Sequence, residues 1–128
     1  MSLSDGTYRI YNTDVTTPFG SPLYLAQSGN HIIVSGFGND TIEARGTKDE
    51  KYTLQFSRDG RYIIARNGRL QFGTKPYEWR IFKIDTDKWK IVATAEDLCL
   101  SIPPSAASGS RILLLPQQGL HGQFWNFE

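Results

Sequence analysis

RDGRYII, Arg58 to Ile64, repeats a phrase already written near the start of the chain as SDGTYRI, Ser4 to Ile10. In both, Asp-Gly is followed by one residue, Tyr, one residue and Ile. Asp-Gly favours a tight turn, and an aromatic followed two residues on by Ile is the alternation of a half-buried strand. A third, weaker copy is Asp87-Lys88-Trp89-Lys90-Ile91. The phrase therefore occurs as Tyr8/Ile10, Tyr62/Ile64 and Trp89/Ile91.

Two further phrases keep step with it. Leu-x-[Leu/Phe] follows each copy, as Leu23-Tyr24-Leu25, Leu70-Gln71-Phe72 and Leu98-Cys99-Leu100. An aromatic with an apolar residue two on then closes each unit, as Tyr52-Thr53-Leu54, Trp79-Arg80-Ile81 and Trp125-Asn126-Phe127. Short hairpins join the units: LQFSRDGRYII (Leu54 to Ile64) and IFKIDTDKWKI (Ile81 to Ile91) each read strand, turn, strand. His31 to Val34 and Arg111 to Leu115 are additional strand candidates. No stretch carries a sustained helical period with caps.

A fixed phrase order performed three times is a repeat architecture. Three units of about four strands predict an all-β fold, a β-trefoil, over residues 1–128 as a single domain. A closed barrel of this kind removes sheet edges without disulfides, and the chain has only one cysteine, Cys99. The middle unit is shortened: little beyond GTKPYE separates Phe72 from Trp79. Its third strand is expected to be truncated or missing, giving eleven or twelve strands. The competing all-β arrangement is a β-sandwich, whose short strands also alternate.

Composition narrows the function. The formal net charge is +1 with no basic block, so the electrostatic footprint of a nucleic-acid binder is missing. No run approaches the ~18 apolar residues of a membrane span. The start of the chain, MSLSDGTYRI, lacks a signal-peptide apolar run, and the expected location is cytoplasmic. His31 and His121 have no Cys or carboxylate at ligand spacing, so neither a metal nor another cofactor is expected. GFGND lacks the Lys-Ser/Thr ending of a phosphate loop. Asp85-Thr86-Asp87 matches half a calcium loop but lacks the Gly and the distal Glu. Cys99 sits inside a strand phrase and reads as a small apolar filler. No enzyme is expected.

The end of the chain, Gln123-Phe124-Trp125, resembles the Gln-x-Trp repeat mark of ricin-B-type trefoils. The other units carry Glu50-Lys51-Tyr52 and Tyr77-Glu78-Trp79 there. The opening DGTYRI and the closing aromatic strand resemble small fungal trefoil protease inhibitors, the mycocypin, cospin and cocaprin groups. A ricin-type lectin would place an Asp in the second phrase, where this chain has Tyr24, Gln71 and Cys99. It would also place an Asn two residues before the Gln, where this chain has His121, Lys48 and Lys75. The usual sugar-binding set is absent, and a carbohydrate-binding lectin is the alternative function, with Trp79 and Trp125 as residues that would border its pocket.

The inhibitor resemblance implies that surface loops occlude a protease. In mycocypins, the loops after the first and third strands wedge into the active-site cleft of papain-like enzymes. Here these are NTDVTTPFGSP (Asn12 to Pro22) and GFGNDTIEARGTKDE (Gly36 to Glu50). The wedge would comprise Pro18, Phe19, Gly20, Gly36, Phe37 and Gly38, the glycines allowing close backbone approach. The competing reading is that the phenylalanines cap the barrel and the glycines make turns. Related inhibitors use the loop after the second strand, here Ser28-Gly29-Asn30, against serine or cysteine proteases. It lacks the Lys or Arg that suits a trypsin-like pocket and is also an ordinary turn. Mycocypins place an Asn against legumain where this chain has Asn67, although Asn67-Gly68 is also the strongest type I′ turn signal. Arg66 and Arg69 flank it and read as solvated or as contacts for a trypsin-like enzyme. PPSAASGS (Pro103 to Ser110) reads as flexible, and PQQGLHG (Pro116 to Gly122) as a possible contact for an aspartic protease such as pepsin.

Overall fold

The structure is a computed structural model that describes residues 2–117 and 122–128. Its regular structure is entirely β. The first unit holds β1 (Gly6–Tyr8), β2 (Ile10–Thr16), β3 (Pro22–Ser28), β4 (His31–Ser35) and β5 (Ile42–Lys48). The second holds β6 (Lys51–Phe56), β7 (Tyr62–Arg66), β8 (Arg69–Gly73) and β9 (Trp79–Asp85). The third holds β10 (Lys88–Ala93), β11 (Leu98–Ser101), β12 (Leu113–Pro116) and β13 (Trp125–Phe127). Neighbours run antiparallel in the order β1-β5-β6-β9-β10-β13-β2. β1 and β2 are two halves of one run broken at Arg9, whose N–H and C=O exchange backbone bonds of 3.1 and 2.9 Å with Glu128. The run therefore closes the ring into a six-position barrel, and every barrel strand has a partner on each side.

The remaining strands pair as hairpins, β3–β4, β7–β8 and β11–β12. Their third strands meet: β8 touches both β4 and β12, and Ile33 bridges Arg111. This is the expected β-trefoil, with four strand positions in each unit.

Register shows where the repeat lies. Ile42 pairs with Phe56 and Ala44 with Leu54. Trp79 pairs with Ala93 and Ile81 with Ile91. Trp125 pairs with Asn12 and Phe127 with Ile10. The true opening phrase is thus Tyr8/Ile10, Tyr52/Leu54 and Trp89/Ile91, and the true closing phrase is Ile42/Ala44, Trp79/Ile81 and Trp125/Phe127. Tyr52-Thr53-Leu54 opens the second unit rather than closing the first. Tyr62 and Ile64 lie on β7 in the cap, and Leu70-Gln71-Phe72 lies on β8. The third strand of the middle unit is present as β8. That unit is still the shortest, Lys51–Asp85, because its connections are short. The shift has a simple cause: barrel and cap strands both bury alternate residues, so aromatic-x-Ile marks a strand and not its place in the unit. Ile42, where the other units have Trp, hid the first closing strand.

Both predicted hairpins form, as β6–β7 and β9–β10, but only the second joins two units, the first lying within the second unit. In the first, Asp59 Oδ1 accepts from Arg61 N–H and Gly60 takes a φ of 76°, the left-handed conformation for which the Asp-Gly phrase selects.

The core holds Ile10, Leu23, Leu25, Leu54, Phe56, Ile63, Ile81, Ile91 and Leu100. Trp79 and Trp125 are wholly buried at equivalent positions. Their indole N–H groups donate to Ile63 and Leu100 carbonyls, at 2.8 and 3.0 Å, each on the second strand position of its own unit, the first strand of its hairpin. Each Trp thus ties barrel to cap. Buried Asn12 does related work where chain ends meet: its Nδ2 donates to the Gly122 carbonyl at 3.1 Å, and its Oδ1 accepts from Asp14 and Val15 N–H.

Candidate functional site

The loop joining β2 to β3 is a closed turn. Gly20 N–H donates to the Thr17 carbonyl at 2.9 Å, Thr17 N–H to the Ser21 carbonyl at 2.9 Å, and Ser21 N–H to Thr17 Oγ1 at 3.1 Å. Gly20 has φ +82°. Pro18 and Phe19 stand on the tip, Phe19 96% exposed. The loop from β4 to β5 lies against it. A Cβ on Gly36 would sit 3.2 Å from Thr17 Cγ2, so Gly36 permits the contact between the two loops. Phe37 is 71% exposed.

Gly38 has a different task. A Cβ there would lie 3.1 Å from Arg9 Nη1 and 3.2 Å from the Tyr24 ring. Its missing side chain lets the loop settle on the barrel wall. The expectation that Phe19 and Phe37 cap the barrel does not hold, because both point to solvent.

A third segment braces the pair. Gly36 N–H donates to Ser108 Oγ at 3.1 Å, Gly109 N–H to the Val34 carbonyl at 2.7 Å, and Val34 N–H to the Ser110 carbonyl at 2.9 Å. PPSAASGS, read from its small residues as flexible, is held by these bonds and by Ala107 N–H donating to Ser110 Oγ. Nothing in the sequence signals that Ser108 braces a loop of another unit.

Ser28, Gly29 and Asn30 lie at the other end of the β3–β4 hairpin, roughly 20 Å away at about 3.3 Å per residue. They do not join the Phe19–Phe37 loops. Arg61 holds this turn: its Nη2 donates to the Gly29 carbonyl at 2.9 Å and to Gln27 Oε1 at 2.6 Å. Asn67 is exposed in the two-residue turn of β7–β8, with φ 54° followed by 72° at Gly68, the type I′ pattern. Gly68 N–H donates to Glu96 Oε2 at 2.9 Å, so the turn is fixed against the third unit.

The residues with chemical potential are otherwise occupied. Burial pushes the Cys99 thiol up from its ordinary value, which keeps it protonated and unreactive. Among the described residues, no three His, Cys, Asp or Glu side chains gather as a metal site. No described helix is long and apolar enough to cross a membrane. Trp79 and Trp125 are fully buried and cannot border a sugar pocket. Register also moves the Gln-x-Trp position of the first unit from Glu50-Lys51-Tyr52 to Asp40-Thr41-Ile42. Asp40 is buried there, accepts from Gln27 N–H at 3.2 Å and pairs with Arg58 at 2.7 Å. His121 and the middle of the Pro116–Gly122 loop lie outside the described residues.

The chain superimposes on solved trefoils along nearly its whole length. The Rhizoctonia solani agglutinin is 25% identical, covering 99% of this chain and 96% of its own, with a TM-score of 0.75. The chain is a β-trefoil. A Macrolepiota procera ricin B-like lectin, solved with lactose, is 20% identical over 100% and 98% of the two chains, TM-score 0.74. A proteinase inhibitor from Coprinopsis cinerea is 14% identical over 98% of each, TM-score 0.72. The chain spans only half of a Polyporus squamosus lectin and about a quarter of a GH43 β-1,3-galactosidase, 50% and 26%. No family profile and no curated protein sequence matches it. Lectins and an inhibitor thus share this scaffold, and at these identities the likeness concerns the fold.

Proposed function

We propose that the protein is a protease inhibitor that acts by inserting the Phe19 and Phe37 loops into a protease active-site cleft, papain-like cysteine proteases first. The observation that carries the reading is the pair of outward-facing phenylalanines on adjoining loops, one closed on itself by hydrogen bonds and the other braced by Ser108. Large apolar side chains so exposed contribute nothing to the core, and burying each against a partner is worth about 1.5–3 kcal/mol. The closed Thr17–Ser21 turn and the Ser108 brace lower the ordering cost of binding. Pro18, Gly20, Gly36 and Gly38 shape the wedge around the two rings. No covalent step is involved, and the barrel only holds the loops. The likeness in fold to a Coprinopsis proteinase inhibitor is consistent with this reading.

Titration against papain, legumain, trypsin and pepsin tests it. Saturable loss of papain activity is the expected outcome, and unchanged activity of all four enzymes would remove the reading. Asn67 is the proposed contact for legumain, and Ser28-Gly29-Asn30 for a serine or second cysteine protease. Asn67→Asp keeps a residue that tolerates the left-handed turn while changing the amide that an Asn-specific protease recognises. It is expected to lower legumain inhibition at least tenfold and leave papain inhibition unchanged. Undiminished legumain inhibition would dispose of the Asn67 site.

A second reading, carbohydrate binding, is favoured by one feature. A surface depression of about 570 Å³ lies on the middle unit and is lined by Ile64, Phe72, Lys75, Pro76 and Tyr77 among others. It combines an aromatic wall with polar groups, as sugar sites do. Quenching or enhancement of aromatic fluorescence on titration with lactose, abolished by Phe72→Ala, would support it.

A further inference from the structure

We propose that the depression where the three third strands meet binds a sulfate or phosphate group. The site is built by all three units. His31 opens β4 directly after its hairpin turn, Arg69 opens β8 in the same way, and Arg111 precedes β12 and bridges Ile33. Arg61 and Asn30 complete the rim of an open hollow of about 460 Å³. Among the described residues, no acidic side chain lines it. The whole chain carries a formal net charge of +1, so this grouping does not reflect a generally basic surface.

The four basic side chains are not equally available. Arg61 is a fixture. Its Nε donates to Asp59 Oδ2 at 2.7 Å, its Nη2 is taken by Gln27 and Gly29, and its guanidinium stacks 3.6 Å from the Phe72 ring centre. Arg69 and Arg111 are exposed and have no carboxylate within 4.0 Å among the described residues. Arg111 Nη2 lies 3.1 Å from His31 Nε2. Arginine can only donate, so in this bond His31 Nε2 is the acceptor. That bond orients Arg111 and leaves its Nε and Nη1 donors free.

Arg61 is neutralised by Asp59, but Arg69 and Arg111 line one hollow without a carboxylate partner among the described residues, and a multiply charged anion would neutralise both. Their planar forks suit oxyanions better than they suit point charges. The polar side chains that line the hollow come from all three units. A tetrahedral oxyanion presents three oxygens to such an array, whereas a planar carboxylate presents two.

The test compares thermal unfolding in sodium sulfate and sodium phosphate with sodium chloride at equal ionic strength. Both oxyanions stabilise proteins generally, so the readout is the difference between variants. The native chain should gain a few degrees more than Arg69→Gln/Arg111→Gln. Arg45→Gln/Lys48→Gln, which removes the same charge from exposed β5 positions, should behave as the native chain. Equal gains in all three proteins would overturn the site, as would equal losses in both variants. Calorimetric titration with a sulfated heparin hexasaccharide and with inositol hexakisphosphate then separates the sources. The tighter of the two identifies the natural group, with at least tenfold weakening in Arg69→Gln/Arg111→Gln. Unweakened binding of both in that variant would also overturn the proposal. Papain inhibition is expected to be unaffected by the arginine changes, which keeps this test separate from that of the Phe19–Phe37 loops.

Discussion

Phe19→Ala/Phe37→Ala is expected to weaken inhibition of papain by about 10³-fold while the unfolding temperature stays within ~2 °C of the native value. Phe19 is 96% and Phe37 71% exposed. Truncating them removes apolar surface that only a partner can bury, at about 2 kcal/mol for each ring, and opens no cavity in the core. The glycine substitutions that a wedge also suggests are a less clean test. A bulky residue at Gly20 is strained by its φ of +82°, and one at Gly38 must displace Arg9 or Tyr24. Such variants would lose inhibition through distortion of the loops as well as through steric conflict in the cleft. The double alanine variant leaves the Thr17 turn and the Ser108 brace intact. An inhibition constant within threefold of the native one would refute the wedge, whatever the glycine variants do.

Gly122→Ala is expected to cost more than about 4 kcal/mol, enough to unfold a domain of ordinary stability. A Cβ at Gly122 would stand 1.9 Å from the Ile102 carbonyl oxygen. Both strand connections would have to move, because Ile102 N–H donates to the Gly122 carbonyl at 3.0 Å and that carbonyl also accepts from Asn12. The left-handed φ of 89° adds strain. Gly109→Ala provides the contrast. Its φ is 97°, yet nothing lies within 4 Å of the added carbon, so only the conformational cost of ~1–2 kcal/mol remains. Urea denaturation of the two variants decides the matter. A Gly122→Ala midpoint equal to that of Gly109→Ala would show that the Ile102 contact gives way cheaply.

The fold was readable from the sequence because trefoil symmetry repeats one solution to burial three times. Tyr8/Ile10 and Trp89/Ile91 on the opening strands, and Trp79 and Trp125 on the closing ones, stand where the phrase order put them. The register of the middle unit was not readable. Tyr62/Ile64 and Tyr52/Leu54 show the same alternation, and only pairing tells a barrel strand from a cap strand. Ile42 closes the first unit without the aromatic that marks the other two, so the pattern passed over it.

The wedge loops were legible as loops, since Pro18-Phe19-Gly20 and Gly36-Phe37-Gly38 interrupt the strand alternation. Whether their phenylalanines faced inward or outward was not, because a loop Phe obeys no period. Local chemistry within the chain determined which segments are strands, that Asn67-Gly68 and Asp59-Gly60 are turns, and that the chain closes on itself without disulfides. Tertiary structure alone decided what those segments bring together. Gly36 rests on Thr17, Ser108 of the third unit braces Gly36 of the first, and His31, Arg69 and Arg111 face one hollow. Strand alternation is a property of neighbours in sequence, whereas these contacts depend on barrel closure, which brings residues from different units within bonding distance.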